Sequence, residues 1–210
     1  MTPSTTPRPG RTPERPSRRR FLIGAGGLAL TAAEPLIAHT AAADPRAKAQ
    51  PLDRPAAERF MRRAIELSRK GWEAGDGPPF GAVVVKAGEI VGESANRRFA
   101  TKDATAHAEM EAIRLACRRL GSFSLAGCEL YASAQPCPMC LCATYWARID
   151  RVYYGNGARD SAAVGFDDEV FYRELGRPPE QRAVPEIQLL RDEALAVFTD
   201  YAARRRPARP

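Results

Sequence analysis

The sequence predicts an α/β fold, a three-layer α/β/α domain with a mixed five-stranded sheet. Helical and strand patterns alternate along residues 55–203, which is the arrangement that places helices on both faces of a sheet. The chain has 210 residues, of which 44% are apolar, so one domain with a sizeable core is expected. Clusters of glycine and proline separate the patterns, as they do at loops between elements.

The first predicted elements are a helix and a hairpin of two strands. Residues Arg54 to Glu73 carry apolar side chains at helical spacing, and Gly77-Pro78-Pro79 forms the loop that follows. Two short runs, Gly81 to Lys86 and Glu89 to Ser94, predict strands, and Ala87-Gly88 predicts the tight turn between them.

The remaining elements continue the alternation after a polar loop at residues 96–105. In order they are a helix from His107 to Leu120, a strand from Cys128 to Ala134, a helix from Pro138 to Ala147, a strand from Arg151 to Tyr154, a short helix near Glu169 to Leu175, a strand from Ile187 to Leu190 and a helix from Asp192. The domain ends at residue 203, and residues 204–210 form a basic tail.

Residues 1–43 have the pattern of a signal peptide. A basic segment, Arg18-Arg19-Arg20, precedes a mildly apolar run from Gly24 to Ala38 and the small-residue site Ala41-Ala42-Ala43. The arginines before Phe21-Leu22 resemble a bacterial twin-arginine leader. The alternative is a disordered tail before an ordinary first helix, which the three glycines and Pro35 of the apolar run disfavour. We therefore predict export by the twin-arginine route to the periplasm or the medium.

A linker at residues 44–54 joins this leader to the domain, and no stable membrane insertion is expected after cleavage. The formal charge of +7 is concentrated in the leader and the basic tail. Residues 44–203 contain 22 basic and 23 acidic side chains, so the domain itself is close to neutral. Proteins that grip a phosphate backbone normally present a basic surface on the fold, so no nucleic-acid partner is expected.

Four residues form a candidate metal centre. His107 and Glu109 lie at the start of one predicted helix, and Cys137 and Cys140 lie at the start of another. One histidine and two cysteines give zinc three protein ligands and leave a fourth position open, which is the catalytic rather than the structural pattern. The other readings are a thioredoxin-like redox pair, which leaves the histidine without a role, and a closed four-ligand zinc site.

Glu109 is the candidate for proton transfer. It follows the histidine ligand by two residues, so it can reach a water molecule at the metal without ligating the metal. Zinc activates water as a nucleophile at neutral pH, and a carboxylate in this position can move protons between that water, a ring nitrogen and a leaving amine.

These residues resemble the cytidine/deoxycytidylate deaminase superfamily, in which His-x-Glu is followed by Pro-Cys-x-x-Cys. Further stretches are similar to the bacterial guanine deaminase branch of that superfamily. They are Pro79-Phe80-Gly81-Ala82-Val83-Val84-Val85, Thr105-Ala106-His107-Ala108-Glu109, Pro136-Cys137-Pro138-Met139-Cys140, Tyr145-Trp146-Ala147-Arg148 and Gly165-Phe166-Asp167-Asp168. The resemblance implies the fold of cytidine deaminases, a zinc cofactor and hydrolysis of guanine to xanthine and ammonia.

The resemblance also implies how a purine base would be held. Asn96 and the backbone at Ala108 would bind its edge, and Phe80 and Trp146 would pack against its faces. Asp168 would come from the partner subunit of a homodimer with exchanged C-terminal segments.

The chain departs from the branch at two places. Gln135 stands where the branch tends to have glutamate, and the chain continues past Tyr201 in basic residues where the branch has a terminal aromatic lid. Without that lid the substrate could be guanosine, a cytosine-type base or an aminotriazine, and a tRNA adenosine deaminase is a further alternative within the superfamily. The alternative outside enzymes is an exported zinc-binding module, although such a module would have no need of Glu109.

Overall fold

The structure, a computed structural model, describes residues 53–204. The predicted leader, all but the last two residues of the predicted linker and the basic tail beyond Arg204 lie outside the described residues. Within the described part, no helix is both long and apolar enough to cross a membrane.

Seven helices and four strands make up the described residues. They are α1 (Arg54–Glu73), β1 (Gly81–Lys86), β2 (Glu89–Ala95), α2 (Arg98–Thr101), α3 (Ala108–Leu120), β3 (Cys128–Ala134), α4 (Pro138–Trp146), β4 (Arg151–Asn156), α5 (Ala158–Ala163), α6 (Glu169–Leu175) and α7 (Arg191–Arg204), with a 3₁₀ turn at Pro179–Gln181. The short helices α2 and α5 lie in segments where the sequence predicts only loop.

The four strands form one mixed sheet in the order β2-β1-β3-β4. β1 pairs antiparallel with β2 and with β3, whereas β3 and β4 run parallel. The connection from β3 to β4 passes through α4, as a parallel pair requires. The α/β fold with a mixed sheet is confirmed.

The described sheet has four strands rather than the predicted five, because the segment from Ile187 to Leu190 is not a strand. Its apolar side chains are exposed, with Ile187 at 80%. A strand needs a neighbour to take its backbone hydrogen bonds, and no strand of the described sheet pairs with this segment.

The sheet is buried on both faces, which accounts for the continuous apolar run of β1. Val83 and Val85 face α1, together with Phe60 and Ala64 of that helix. The alternate residues of β1 face the opposite side, where they pack with the inner face of α3. That second cluster comprises Ala82, Val84, Val91, Ala108, Ala112, Ile113, Ala116, Leu125, Cys128, Leu130 and Ala147.

Gly92 lets α3 lie unusually close to β2. A Cβ atom at this position would stand 2.3 Å from the carbonyl oxygen of Ala112 and 2.7 Å from the backbone nitrogen of Ala116. Only a residue without a side chain fits this contact. The position of α3, and therefore of the residues at its N-terminus, depends on that close approach.

The last part of the described chain carries many exposed apolar side chains. None of the 14 residues of α7 is buried, and Phe198 is 74% exposed. The residues before α7 share this exposure, as shown for Val184, Leu189 and Leu190.

Candidate metal centre and active site

Two helix N-termini meet at the carboxyl end of β3. His107 is the residue that precedes the first turn of α3, and Cys137 holds the same position before α4. Pro138 is the first residue of α4, where its missing N–H costs no intrahelical hydrogen bond. Cys140 lies one turn along α4, so both sulfurs face the same side of that helix end.

The three side chains are arranged as ligands of one zinc ion. The Nδ1 atom of His107 lies 3.6 Å from the Sγ atom of Cys137 and 3.6 Å from that of Cys140. Tetrahedral zinc with bonds of about 2.05 Å to nitrogen and about 2.3 Å to sulfur would separate these atoms by about 3.6 Å. The donor set and its spacing therefore fit zinc, and the fourth tetrahedral position is left to a water or a substrate.

The environment of the two cysteines favours a thiolate, the form that binds zinc. The Cys140 thiol donates to Cys137, as do His107 and the backbone N–H of Cys140, and these hydrogen bonds lower the pKa of Cys137 to about 4. The same pairing raises the pKa of Cys140. A negative charge on Cys137 is also stabilised by the N-terminus of α4.

Glu109 is buried beside these ligands, at 7% exposure in the first turn of α3. Burial raises the pKa of its carboxyl group to about 7. Ala108 is fully buried between Glu109 and His107, and its backbone N–H lies in the first helical turn, where no intrahelical acceptor exists. The structure thus brings together the two predicted functions of this helix end, a metal ligand and a proton-transfer group.

A cavity of about 720 Å³ opens onto the metal centre and contains three of the predicted substrate-binding residues. They are Phe80, Asn96 and Asp168. Asn96 is 2% exposed, and its side-chain oxygen accepts a hydrogen bond of 3.1 Å from the backbone N–H of Arg98. Phe80 meets Phe166 edge to face, with ring centroids 5.1 Å apart.

Asp168, which the resemblance implies would come from a partner subunit, lies in the single chain at the cavity beside the metal centre. Asp168 lines the cavity of the chain that carries His107, and burial raises the pKa of its carboxyl group. The chain reaches Asp168 from β4 by a short path, through α5 and the turn that follows it. In that turn the N–H of Phe166 donates to the carbonyl oxygen of Ser161. On this path Phe166 contacts Phe80 of the same chain.

Trp146, which the resemblance implies would pack against a base, does not line the cavity of the single chain. It is the last residue of α4 and is 84% exposed. The buried side of α4 is formed by Cys140 and Thr144, and Trp146 lies on another face of the helix. An aromatic residue in a short apolar helix does not reveal from sequence which face it occupies.

Gln135 lines the cavity, and its side-chain oxygen accepts a hydrogen bond of 3.2 Å from the N–H of Ala158, at the start of α5. A glutamate could make the same contact, so the amide here changes the charge beside the metal centre but keeps the acceptor.

Arg98, Phe166 and Phe171 also line the cavity, and no role was predicted for them. The sequence did offer a signal for Phe166, because it belongs to the Gly-Phe-Asp-Asp stretch that is similar to the guanine deaminases. Arg98 lies in a polar loop, where no sequence pattern marks it as a cavity residue.

Comparisons with known proteins support the zinc site and its deaminase chemistry. The zinc-binding region of cytidine and deoxycytidylate deaminases matches residues 54–156. A guanine deaminase of Bacillus subtilis is 48% identical over 141 residues, which cover 67% of this chain and 90% of that protein. Its crystal structure superposes with a TM-score of 0.69 at 44% identity, covering 72% of this chain and 97% of that one.

Two further relatives show the range of the similarity. The structure of a guanine deaminase from Nitrosomonas europaea has a TM-score of 0.51 at 32% identity, covering 73% of this chain and 87% of that one. A tRNA-specific adenosine deaminase of Aquifex aeolicus is 44% identical over 97 residues, which are 46% of this chain and 64% of that protein. The chain therefore belongs to the cytidine and deoxycytidylate deaminase family and is a zinc-dependent hydrolytic deaminase.

Proposed function

We propose that this protein hydrolyses the 2-amino group of guanine and releases xanthine and ammonia. The observation that carries the proposal is the placement of Glu109 and three zinc ligands at one end of a cavity that also contains Asn96 and Asp168. The similarity to the guanine deaminases of Bacillus subtilis and Nitrosomonas europaea supports guanine as the substrate.

Glu109 performs the proton transfers. When bound, zinc supplies Lewis-acid activation of the attacking water. Glu109 accepts a proton from that water, delivers it to a ring nitrogen of the base and assists the departure of the amino group as ammonia. Because Glu109 is buried, bulk water does not compete with the substrate for its carboxyl group.

The cavity contains groups of both kinds that a guanine edge requires. The oxygen of Asn96 is already engaged by Arg98, so the amide NH₂ is the group of Asn96 that is available for an acceptor on the base. The carboxyl group of Asp168 accepts from ring N–H or amino groups. Phe80 and Phe166 supply an apolar wall for stacking.

The charge of the cavity disfavours a polyanionic substrate such as tRNA. Four acidic residues line it, Glu109, Asp167, Asp168 and Glu174, whereas Arg98 is the one arginine among the described lining residues. A phosphate backbone approaching this opening would meet like charge. A neutral free base meets no such repulsion.

The test is an ammonia-release panel with purified, zinc-loaded protein over guanine, guanosine, cytosine, adenine and an aminotriazine. Guanine should be the preferred substrate. Glu109→Gln should lower turnover at least about 100-fold and leave the bound zinc unchanged by metal analysis. Glu111→Gln, in the same helical turn but paired with Arg114, is the matched control and should keep its activity.

Two results would reject the proposal. Turnover of guanosine or cytosine without turnover of guanine would show that the substrate is wrong although the chemistry holds. Full activity of the Glu109→Gln protein would show that another group moves the protons.

Residues 1–43 direct the protein out of the cytoplasm by the twin-arginine route. Support comes from the arginine pair, the apolar run and the small-residue cleavage site of the sequence. Replacing Arg18 and Arg19 by lysine should leave the protein in the cytoplasmic fraction on an immunoblot. Replacing Arg8 and Arg11 by lysine is the control, and export of both variants alike would reject the leader.

The protein forms a homodimer with exchanged C-terminal segments. The exposed apolar side chains from residue 184 onward, together with the unburied α7, support this proposal, because monomers rarely expose apolar surface of this extent. As the resemblance implies, the exchanged segment would include Asp168.

A further inference from the structure

Arg98 is held firmly at the wall of the cavity. It is the first residue of α2, and its backbone N–H donates to Asn96. The next two backbone N–H groups, those of Phe99 and Ala100, both donate to the carbonyl oxygen of Asp76 at 3.0 Å. The loop is also closed at its base, where the N–H of Arg97 donates to the oxygen of Ala106 at 2.9 Å. The position of Arg98 is therefore set by backbone hydrogen bonds rather than by its own side chain.

The guanidinium of Arg98 lacks a carboxylate partner among residues 53–204, and its positive charge acts on His107. Its Nε atom is inaccessible to solvent and makes no hydrogen bond, and no carboxylate of the described residues forms an ion pair with it. Arg63, Arg114 and Arg177 each have such a carboxylate within reach. The terminal N–H groups of Arg98 are not among the buried unpaired atoms, so they are available to a ligand in the cavity that Arg98 lines.

The acceptor is not a phosphate. The acidic residues that line the same cavity would repel a dianion, and Arg98 alone does not offset them. A neutral group with two acceptors side by side suits the planar fork of an arginine without adding negative charge. The O6 and N7 atoms of guanine form such a pair, and arginine binds this edge through two parallel hydrogen bonds.

We infer that Arg98 is a specificity-determining residue that binds the O6/N7 edge of the purine and selects a 6-oxo over a 6-amino base. The inference rests on the proposed function, since it assumes a purine in this cavity. The O6/N7 edge lies on the far side of the ring system from the reacting C2 atom. A base whose 2-amino group meets Glu109 therefore presents this edge away from the metal ligands, toward another part of the wall.

The experiment compares three bases that share the 2-amino group, namely guanine, 2,6-diaminopurine and 7-deazaguanine. In 2,6-diaminopurine a donor replaces O6, and in 7-deazaguanine a C–H group replaces N7. The ratio of kcat/KM for guanine to that for each analogue is measured in the wild type, Arg98→Met, Arg98→Lys and Arg97→Met. The last variant is the matched control, because Arg97 is exposed and does not line the cavity.

Arg98→Met should reduce the guanine to 2,6-diaminopurine ratio by between about 5- and 150-fold, the range for loss of a bidentate arginine contact to a base. Arg98→Lys keeps the charge but not the fork, so it should recover only part of the ratio. Arg97→Met should leave the ratio as in the wild type. Melting temperature and zinc content establish that each variant is folded.

The same comparison is made by binding in the Glu109→Gln background, where turnover is blocked. Calorimetric dissociation constants for guanine and 2,6-diaminopurine, with and without Arg98→Met, should show the same change in ratio. An unchanged ratio in both Arg98 variants, or an equal loss with all three bases, overturns the inference while leaving guanine deamination intact. If the wild type releases no ammonia from guanine, the proposed function fails, and the binding ratio alone decides the role of Arg98.

Discussion

The side chain of Arg63 joins α1 to the edge strand β2. Its Nε atom and one terminal nitrogen donate to the two carboxylate oxygens of Glu93, at 2.8 and 2.6 Å. Both side chains are about one-third exposed, so the pair is partly shielded from solvent. The hydrogen bonds from Arg63 lower the pKa of Glu93. This pair is therefore stronger than the exposed pairs along α1.

We expect Glu93→Gln to lower the free energy of unfolding by about 1 kcal/mol at pH 7. The pKa of Glu93 is lower in the folded than in the unfolded chain, so its stabilisation is complete above the unfolded value of 4.5. The stabilisation is lost as the pH falls through the lower folded value. The difference between wild type and variant should therefore shrink below a pH of about 4.5.

Urea unfolding of both proteins at neutral and at acidic pH measures this difference. Zinc released by acid affects both proteins alike and cancels in the comparison. Glu58→Gln is the control, since the pair of Glu58 with Arg62 is well exposed and should contribute little. A difference that does not depend on pH would contradict the assignment to the ionised carboxylate.

The metal ligands could be predicted as individual residues, whereas most of the cavity wall could not. Cys137 and Cys140 lie within one helical turn, so their spacing alone places both sulfurs on one side. His107 is 30 residues away from Cys137, but its chemistry singles it out, since it is the one histidine of the predicted domain. The direction of Trp146 and Arg98 depends on which helix face or loop side meets the sheet. No local pattern encodes that choice.

The N-termini of α3 and α4 carry all three zinc ligands, so the packing of these two helices on the sheet sets the geometry of the metal centre. α3 is located by its contact with Gly92 of β2. α4 is located by the parallel crossover between β3 and β4. A shift of α3 along or away from the sheet would move His107 and Glu109 together relative to both cysteines.

Gly92→Ala should destabilise the protein by about 1–3 kcal/mol and also weaken zinc binding. The added methyl group would overlap the backbone of α3 at Ala112 and Ala116, so the helix must move away. Urea unfolding measures the first effect, and competition with a fluorescent zinc chelator measures the second.

Gly176→Ala is the control, because a Cβ atom there would meet its nearest neighbour, the oxygen of Arg173, at 3.4 Å with an ordinary helical backbone. It should change neither stability nor zinc affinity by much. Loss of stability in Gly92→Ala with unchanged zinc affinity would show that the cysteines follow α3 when it moves.

The elements of the core were predictable because each has a strong period or a buried apolar run. The helix over α1, the two strands of the hairpin and the strand β3 begin where the sequence predicts them. The predicted strand at Ile187 to Leu190 failed because its apolar residues have the composition of a strand but find no partner in the described sheet. Strand pairing is a property of the tertiary fold, and composition alone does not supply it.

The sheet domain and the C-terminal part of the described chain differ in how far their apolar residues are buried. Between α1 and β4, two clusters of apolar residues are buried against the faces of the sheet. The residues from 184 to 204 leave their apolar side chains in solvent. Covering that surface would remove apolar area from water, and a second copy of the chain is the partner that the proposed exchange supplies.

The wild-type protein should therefore be a dimer by light scattering at micromolar concentration, and Ile187→Glu with Phe198→Glu should make it a monomer. Both side chains are more than 70% exposed in the single chain, at 80% and 74%, so the substitutions remove no contact within it. A new charge on each would instead be buried unpaired in the dimer, which is strongly unfavourable. Thr199→Glu, which places a charge on the neighbouring exposed position of α7, is the control for added charge alone.

Exchange is distinguished from simple pairing by mixing tagged and untagged dimers, because exchanged segments should form hybrids only after partial unfolding. A wild-type monomer, or a double variant that stays dimeric, would contradict the proposed assembly and leave the zinc chemistry of each chain unaffected.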